Sequence, residues 1–125
     1  MEHLKIRHVY EDKSVYVGEW VDGKRNGEGT WTAINGDTYT GSWINDKRHG
    51  QGVEKWELGR KYNGEYKNGM KDGKGIFTYT GYSTYEGGWK EDKKHGEGAW
   101  TTVDGYSTKG KKGIWKNDVR VKDVN

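Results

Sequence analysis

The sequence predicts an all-β protein, an elongated solenoid of antiparallel β-hairpins. Three observations carry the prediction: a period of 23 residues, an alternation of period two inside each unit, and a core chemistry made of rings. The last follows from composition. Only 30% of the 125 residues are hydrophobic, yet they include seven Trp, nine Tyr and one Phe, beside 21 glycines and no proline. A buried ring removes about 150 Å² or more from water, so rings supply the apolar area that the scarce aliphatic residues cannot. Such a core suits a thin, extended object better than a globule.

The period is in register over four units. Tyr16, Tyr39, Tyr62 and Tyr85 stand 23 apart, as do Gly18, Gly41, Gly64 and Gly87, and then Trp20, Trp43, Tyr66 and Trp89. In the second half of each unit Gly27, Gly50, Gly73 and Gly96 recur, followed by Gly29, Gly52, Gly75 and Gly98. Chance does not align so many columns, and a period of this length marks a repeat architecture.

The elements follow in order. Residues 1–15 read as a capping strand: in "LKIRHVY", Ile6 and His8 fall 23 before Gly29 and Trp31. In the first full unit Tyr16, Gly18 and Trp20 point to one face of a strand, and Val17, Glu19 and Val21 to the other. The turn signals "DGK" and "RNG" come next, and Gly27, Gly29 and Trp31 resume the alternation. A second turn at Ile34-Asn35-Gly36-Asp37 leads into the next unit. One hairpin cannot bury its aromatic face alone, so stacked neighbours must do it for one another. Residues 16–107 hold four such units. Thereafter "GYSTY" at Gly81 returns as "GYSTK" at Gly105, and "GIWKND" resembles a first strand shifted by three, so Gly113 to Asp118 is expected to end the stack as a half-repeat. Residues 108–125 are thus a degenerate half-repeat with a basic tail, and the whole chain is one domain. Both ends carry charges, which discourage strand addition at an open sheet edge.

A glycine between two aromatics on one strand face leaves a slot in which a neighbouring ring can lie. The motif is therefore a stacking unit. "YVGEWVDGKRNGEGTW", starting at Tyr16, resembles the MORN repeat (membrane occupation and recognition nexus), whose pattern is Tyr-x-Gly-x-Trp, a short turn, then Lys-x-x-Gly-x-Gly. The resemblance covers residues 16–107 and implies an elongated, twisted antiparallel sheet of hairpins with an aromatic-lined concave groove. It also implies modules that organise cytoskeletal, ciliary or membrane-junction assemblies, some of which self-associate. Three departures stand out: Glu54 takes the column of Trp31, Phe77 and Trp100, Tyr66 replaces a Trp, and Met70 replaces a Lys.

Composition narrows the function classes. The net charge of +3 comes from 22 basic and 19 acidic residues, a mixture that mainly confers solubility and implies no broad nucleic-acid surface. No apolar run spans a bilayer and no signal-peptide core is present, so an intracellular location is expected, cytoplasmic or associated with cytoskeleton or membrane. Without cysteine there is no disulfide framework or thiolate metal site. His49 and His95 share one column two repeats apart, a distance at which they cannot hold one ion, so turn bracing is the expected role and no metal or cofactor is assigned. Catalysis finds no support: Ser14, Ser42, Ser83 and Ser107 lack a recurring His or acid beside them, Glu65 and Glu86 are isolated, and no phosphate loop occurs.

Two surfaces remain. Tyr16, Trp20, Tyr39, Trp43, Tyr62, Tyr66, Tyr85 and Trp89 read both as core and as the lining of a groove for a protein partner, a helix or peptide. Lys24, Arg25, Lys47, Arg48, Lys93 and Lys94 recur at the turns as a ridge, and Lys109, Lys111 and Lys112 open the most basic stretch of the chain. Together these suit an anionic membrane, although acids in the same turns dilute the charge and the default for both is solvation. The leading expectation is a non-enzymatic scaffold that binds a protein segment in the aromatic groove, with the lysine ridge orienting an acidic partner. An anionic-phospholipid module is the first alternative and a designed or consensus-like repeat without a ligand another. Choline-binding hairpins share the short, glycine-rich, aromatic unit, but the Lys-x-x-Gly-x-Gly half and the lack of a secretion signal argue against them.

Overall fold

The computed structural model describes residues 4–103 and 108–124, and the side chains of 4–102 and 112–124. Every described strand lies in one antiparallel sheet in chain order. They are β1 (Leu4–Val9), β2 (Val15–Val21), β3 (Lys24–Thr32), β4 (Thr38–Ile44), β5 (Lys47–Lys55), β6 (Lys61–Lys67), β7 (Met70–Thr78), β8 (Thr84–Lys90), β9 (Lys93–Val103), β10 (Thr108–Lys116) and β11 (Val119–Asp123). Each strand pairs only with its neighbours in sequence, which is the expected hairpin solenoid.

Two-residue turns close the hairpins: Asp22-Gly23, Asn45-Asp46, Asn68-Gly69, Glu91-Asp92 and Asn117-Asp118, with both residues at positive φ in every case. That geometry matches the right-handed twist of the flanking strands. The "RNG" signal is therefore not a turn. Asn26 and Gly27 lie inside β3, where the pairing shifts between Gly18 and Trp20, and Gly27 carries φ 90° in the resulting bulge. The same shift recurs opposite β5, β7 and β9.

One face of the sheet is the core. Tyr16, Tyr39, Tyr62 and Tyr85 are fully buried, with Trp43, Tyr66, Trp89 and Trp115 close behind. Each Tyr ring lies over a glycine pair, Gly18 with Gly29 in the first unit and its equivalents in the rest. A Cβ on Gly29, Gly52, Gly75 or Gly98 would enter the ring of Tyr16, Tyr39, Tyr62 or Tyr85 respectively. Each phenol then donates a hydrogen bond to the backbone carbonyl three residues on: Glu19 at 2.6 Å, and Ser42, Glu65 and Gly88 at 2.9 Å. The rings also bridge units edge to face, with centroids 5.6 Å apart for Tyr16–Trp43, 5.1 Å for Tyr39–Tyr66, 5.4 Å for Tyr62–Trp89 and 4.9 Å for Tyr85–Trp115. Trp43 and Trp89 each donate Nε1–H to a carbonyl of the preceding unit, Gly29 and Gly75, at 3.2 Å. The slot expected from the glycines is thus real, and it holds the unit's own tyrosine.

The stack ends differently at its two ends. In β1, Ile6 pairs with Gly18, as Gly29 does with Gly41 in the next junction. No ring has to fit there, so a side chain replaces the glycine. At the other end Trp115 takes the tryptophan column with the expected shift of three. The segment after it is no free tail: β11 continues the sheet, and Arg120 donates to the Lys112 carbonyl at 2.8 Å and pairs with Asp123 at 2.9 Å.

Candidate interaction surface

The turns are tied together before any surface is left for a partner. The second turn residue of each hairpin after the first donates its N–H to the unit before: Asp46 to the Arg25 carbonyl, Gly69 to Arg48, Asp92 to Lys71 and Asp118 to Lys94, at 2.9–3.1 Å. Where that residue is Asp, its carboxylate accepts the backbone N–H of the same cation, from Arg25, Lys71 and Lys94, each at 2.8 Å. The side chains of Arg25 and Lys71 pair with Asp46 at 3.1 Å and with Asp92 at 3.6 Å. His49 belongs to the same scheme, with Nδ1 3.5 Å from the Asn68 N–H.

Unit three has Gly69 in that place and offers no carboxylate. Arg48 turns instead to Glu54, at 3.3 Å, and the same Glu54 oxygen accepts the Tyr66 hydroxyl at 2.6 Å. Burial and the neighbouring Glu54 carboxylate push the Tyr66 phenol far above its ordinary range. Glu54 and Tyr66, which look like separate departures from the repeat, together with Gly69 form one linked exchange.

These contacts correct both candidate sites. Of the eight groove residues, Tyr16, Tyr39, Trp43, Tyr62, Tyr66, Tyr85 and Trp89 are buried, and only Trp20 keeps part of its surface. Rings of their own and adjacent units pack against them, so they form the core and leave no aromatic groove at those positions. Of the basic ridge, Arg25, Arg48 and Lys94 lie on the aromatic face, 4.4 Å from the Trp43 ring, 5.0 Å from Tyr39 and 5.2 Å from Tyr79. There they cover rings by cation–π contact. Lys24, Lys47 and Lys93 are exposed as expected, and so is Lys112. The side chains of Lys109 and Lys111 fall outside the described residues.

Two surfaces take their place. On the polar face a hollow of about 640 Å³ reaches from β5 to β10. Its walls carry Asn63, Glu65, Lys74, Glu86, Glu97 and Lys112, and Ile76, Ala99 and paired glycine backbones line it as well. Six strands at about 4.8 Å spacing give it a length of about 24 Å. The alternation of period two put these residues on the face opposite the rings, but nothing in the sequence marked that face as the hollowed one.

The second surface is the hairpin-turn edge. Each tight turn brings the last residue of one strand opposite the first of the next: Val21 with Lys24, Ile44 with Lys47, Lys67 with Met70, Lys90 with Lys93 and Lys116 with Val119. The six lysines are exposed, and so are Ile44, Met70 and Val119. Four of the five pairs set a lysine beside an apolar side chain. Lys67, Lys90 and Lys116 were missed as candidates, although pairing across a two-residue turn would have found them.

Among the described residues no helix is long and apolar enough to cross a membrane. No curated protein matches the chain. The family model of the MORN repeat does, in four consecutive segments at residues 16–38, 39–57, 62–84 and 85–105. Those segments cover most of the sequence, and each begins on one of the four fully buried tyrosines, Tyr16, Tyr39, Tyr62 and Tyr85. The chain belongs to the MORN-repeat family.

Proposed function

We propose that this protein is a non-enzymatic scaffold that holds a protein segment along the polar face of its sheet. The observation that carries the reading is the hollow of about 640 Å³ across β5–β10, together with the burial of the rings on the opposite face. A trough of that length suits a stretch of chain better than a compact small molecule. Its walls set Glu65, Glu86 and Glu97 against Lys74 and Lys112, with Ile76 and Ala99 between. A partner helix or peptide of mixed charge with small apolar contacts fits those walls, and the charged positions select it. The association of MORN repeats with scaffold proteins points the same way. Photo-cross-linking tests it, with a benzophenone side chain placed at Lys74 or Glu86, or at Asn35 as a control, in cells that express the protein. The expected result is a discrete adduct from the hollow positions that excess unlabelled protein suppresses. Adducts no stronger than those from Asn35 would rule the hollow out.

A second reading is favoured by the hairpin-turn edge, where six exposed lysines alternate with Ile44, Met70 and Val119. Such an edge suits an anionic membrane surface, each lysine contributing about 1 kcal/mol near the headgroups and the apolar side chains entering the interface. Co-sedimentation with phosphatidylserine vesicles at near-physiological salt tests it. Binding lost in Lys67→Glu/Lys90→Glu supports the edge, and binding that survives this change excludes it.

A further inference from the structure

We propose that the opposite edge, built from the turns between units, docks an amphipathic α-helix of a partner protein, apolar at seven-residue spacing and acidic beside the middle one of those positions, where it meets Leu58. Three of these five-residue turns present a large apolar residue, Ile34 at the second place, Leu58 at the third and Tyr82 at the fourth. Ile34 and Leu58 are 76% exposed and Tyr82 74%, more than any other large apolar side chain described. The turns share one closure, in which the first residue donates to the carbonyl four on: Ala33 to Asp37, Trp56 to Arg60 and Tyr79 to Ser83. The three tips therefore follow one another along a single edge.

Local turn chemistry does not account for them. Leu58 and Tyr82 sit at φ 62° and 69°, a conformation that suits glycine or asparagine and strains a bulky side chain. Retained strain of this kind points to function. The turn at Leu58 carries a second unfavourable feature. Lys55 and Lys61 stand directly opposite each other across β5 and β6, and Arg60 is exposed beside them, three cations around the single carboxylate of Glu57. Like charges so placed repel, and acidic residues of a partner relieve them.

The spacing selects a helix. Successive units are two strands apart, about 9.6 Å, and seven helical residues rise about 10.5 Å. Residues i, i+7 and i+14 of one helix face thus meet the three tips in turn. The same helix has room to cover the half-buried rings next to the turns, Trp56 and Tyr79 among them. This surface lies apart from the hollow and does not depend on the reading given for it.

The test uses the full chain and two fluorescent synthetic peptides of about 24 residues, measured by anisotropy. One carries Leu at three positions seven apart with Glu beside the central one, and the other has the same composition with the leucines unevenly spaced. The heptad peptide is expected to bind at least about tenfold more tightly than the permuted one. Leu58→Asn/Tyr82→Asn should remove that preference without lowering thermal stability, because Asn accepts the left-handed turn. Glu86→Lys in the hollow should leave it unchanged. Equal affinity for the two peptides, a preference that survives the double substitution, or a preference abolished by Glu86→Lys would each overturn the proposal.

Discussion

Glu54→Ala is the substitution whose effect is best determined by the structure, because it removes the carboxylate that serves two partners. Tyr66 loses the acceptor of its 2.6 Å hydrogen bond, and its hydroxyl is left in the core. Arg48 loses its 3.3 Å ion pair, in which the two side chains keep only 24% and 11% of their exposure. A hydrogen bond to a charged group contributes about 1.5–3 kcal/mol, and a partly screened ion pair about 1 kcal/mol or less. The expected loss is about 3 kcal/mol. Gly69→Asp supplies the remedy, since Asp46 and Asp92 hold the equivalent cations from that position at φ 69° and 70°, close to the 88° of Gly69. In the Glu54→Ala background it should return about 1 kcal/mol, whereas with Glu54 present it should change stability by less than about 0.5 kcal/mol. Urea unfolding followed by tryptophan fluorescence and circular dichroism measures all four members of the cycle. A loss below about 1 kcal/mol for Glu54→Ala, or the same effect of Gly69→Asp in both backgrounds, would refute the linkage of these three positions.

Gly52→Ala drives a methyl group into the Tyr39 ring and should destabilise the fold by about 3 kcal/mol or more in urea, whereas Gly36→Ala meets open space and should cost about 1 kcal/mol for its φ of 95°. Desolvation pushes the phenols of Tyr16 and Tyr85 up to about 12 from an ordinary 10.0, and it raises those of Tyr39 and Tyr62 as well. The unfolded chain therefore releases these protons first. Their contribution to stability is complete below pH 10 and is lost as pH rises towards 12. Absorbance at 295 nm should show the larger part of the tyrosine ionisation only together with the loss of circular dichroism, and ionisation of all the tyrosines with a midpoint near 10 in a still folded protein would contradict this. Leu58→Gly removes a strained left-handed leucine and should raise stability by about 1 kcal/mol in a thermal melt, an unusual sign for a large-to-small change.

The repeat arithmetic made the fold legible, because a period of 23 with alternation of two fixes strand order, the ring columns and the double-glycine slots. The turns were partly legible. Asn26-Gly27 has the composition of a tight turn, yet Asp22-Gly23 had already closed the hairpin, and the second signal became a bulge. The site was harder to read for a physical reason. Alternation separates two faces of a sheet without saying which one the neighbouring units cover. Tyr39 is buried by Tyr66 and Trp43, contacts that depend on how the sheet curls around its rings. Arg25 and Lys24 are adjacent in sequence and both basic, but the strand sends one onto the Trp43 ring and the other to solvent. The exchange of Glu54, Tyr66 and Gly69 spans two units and emerged only from the distances.

Hydroxyl-radical footprinting of the folded protein, read residue by residue by mass spectrometry, tests the central claim that the ring columns are core and partners dock elsewhere. Tyr16, Tyr39, Tyr62 and Tyr85 should be protected, while Tyr82, 74% exposed on its turn, should oxidise readily. Column tyrosines that react as fast as Tyr82 would mean an open aromatic groove, and would return the partner site to the face assigned here to the core.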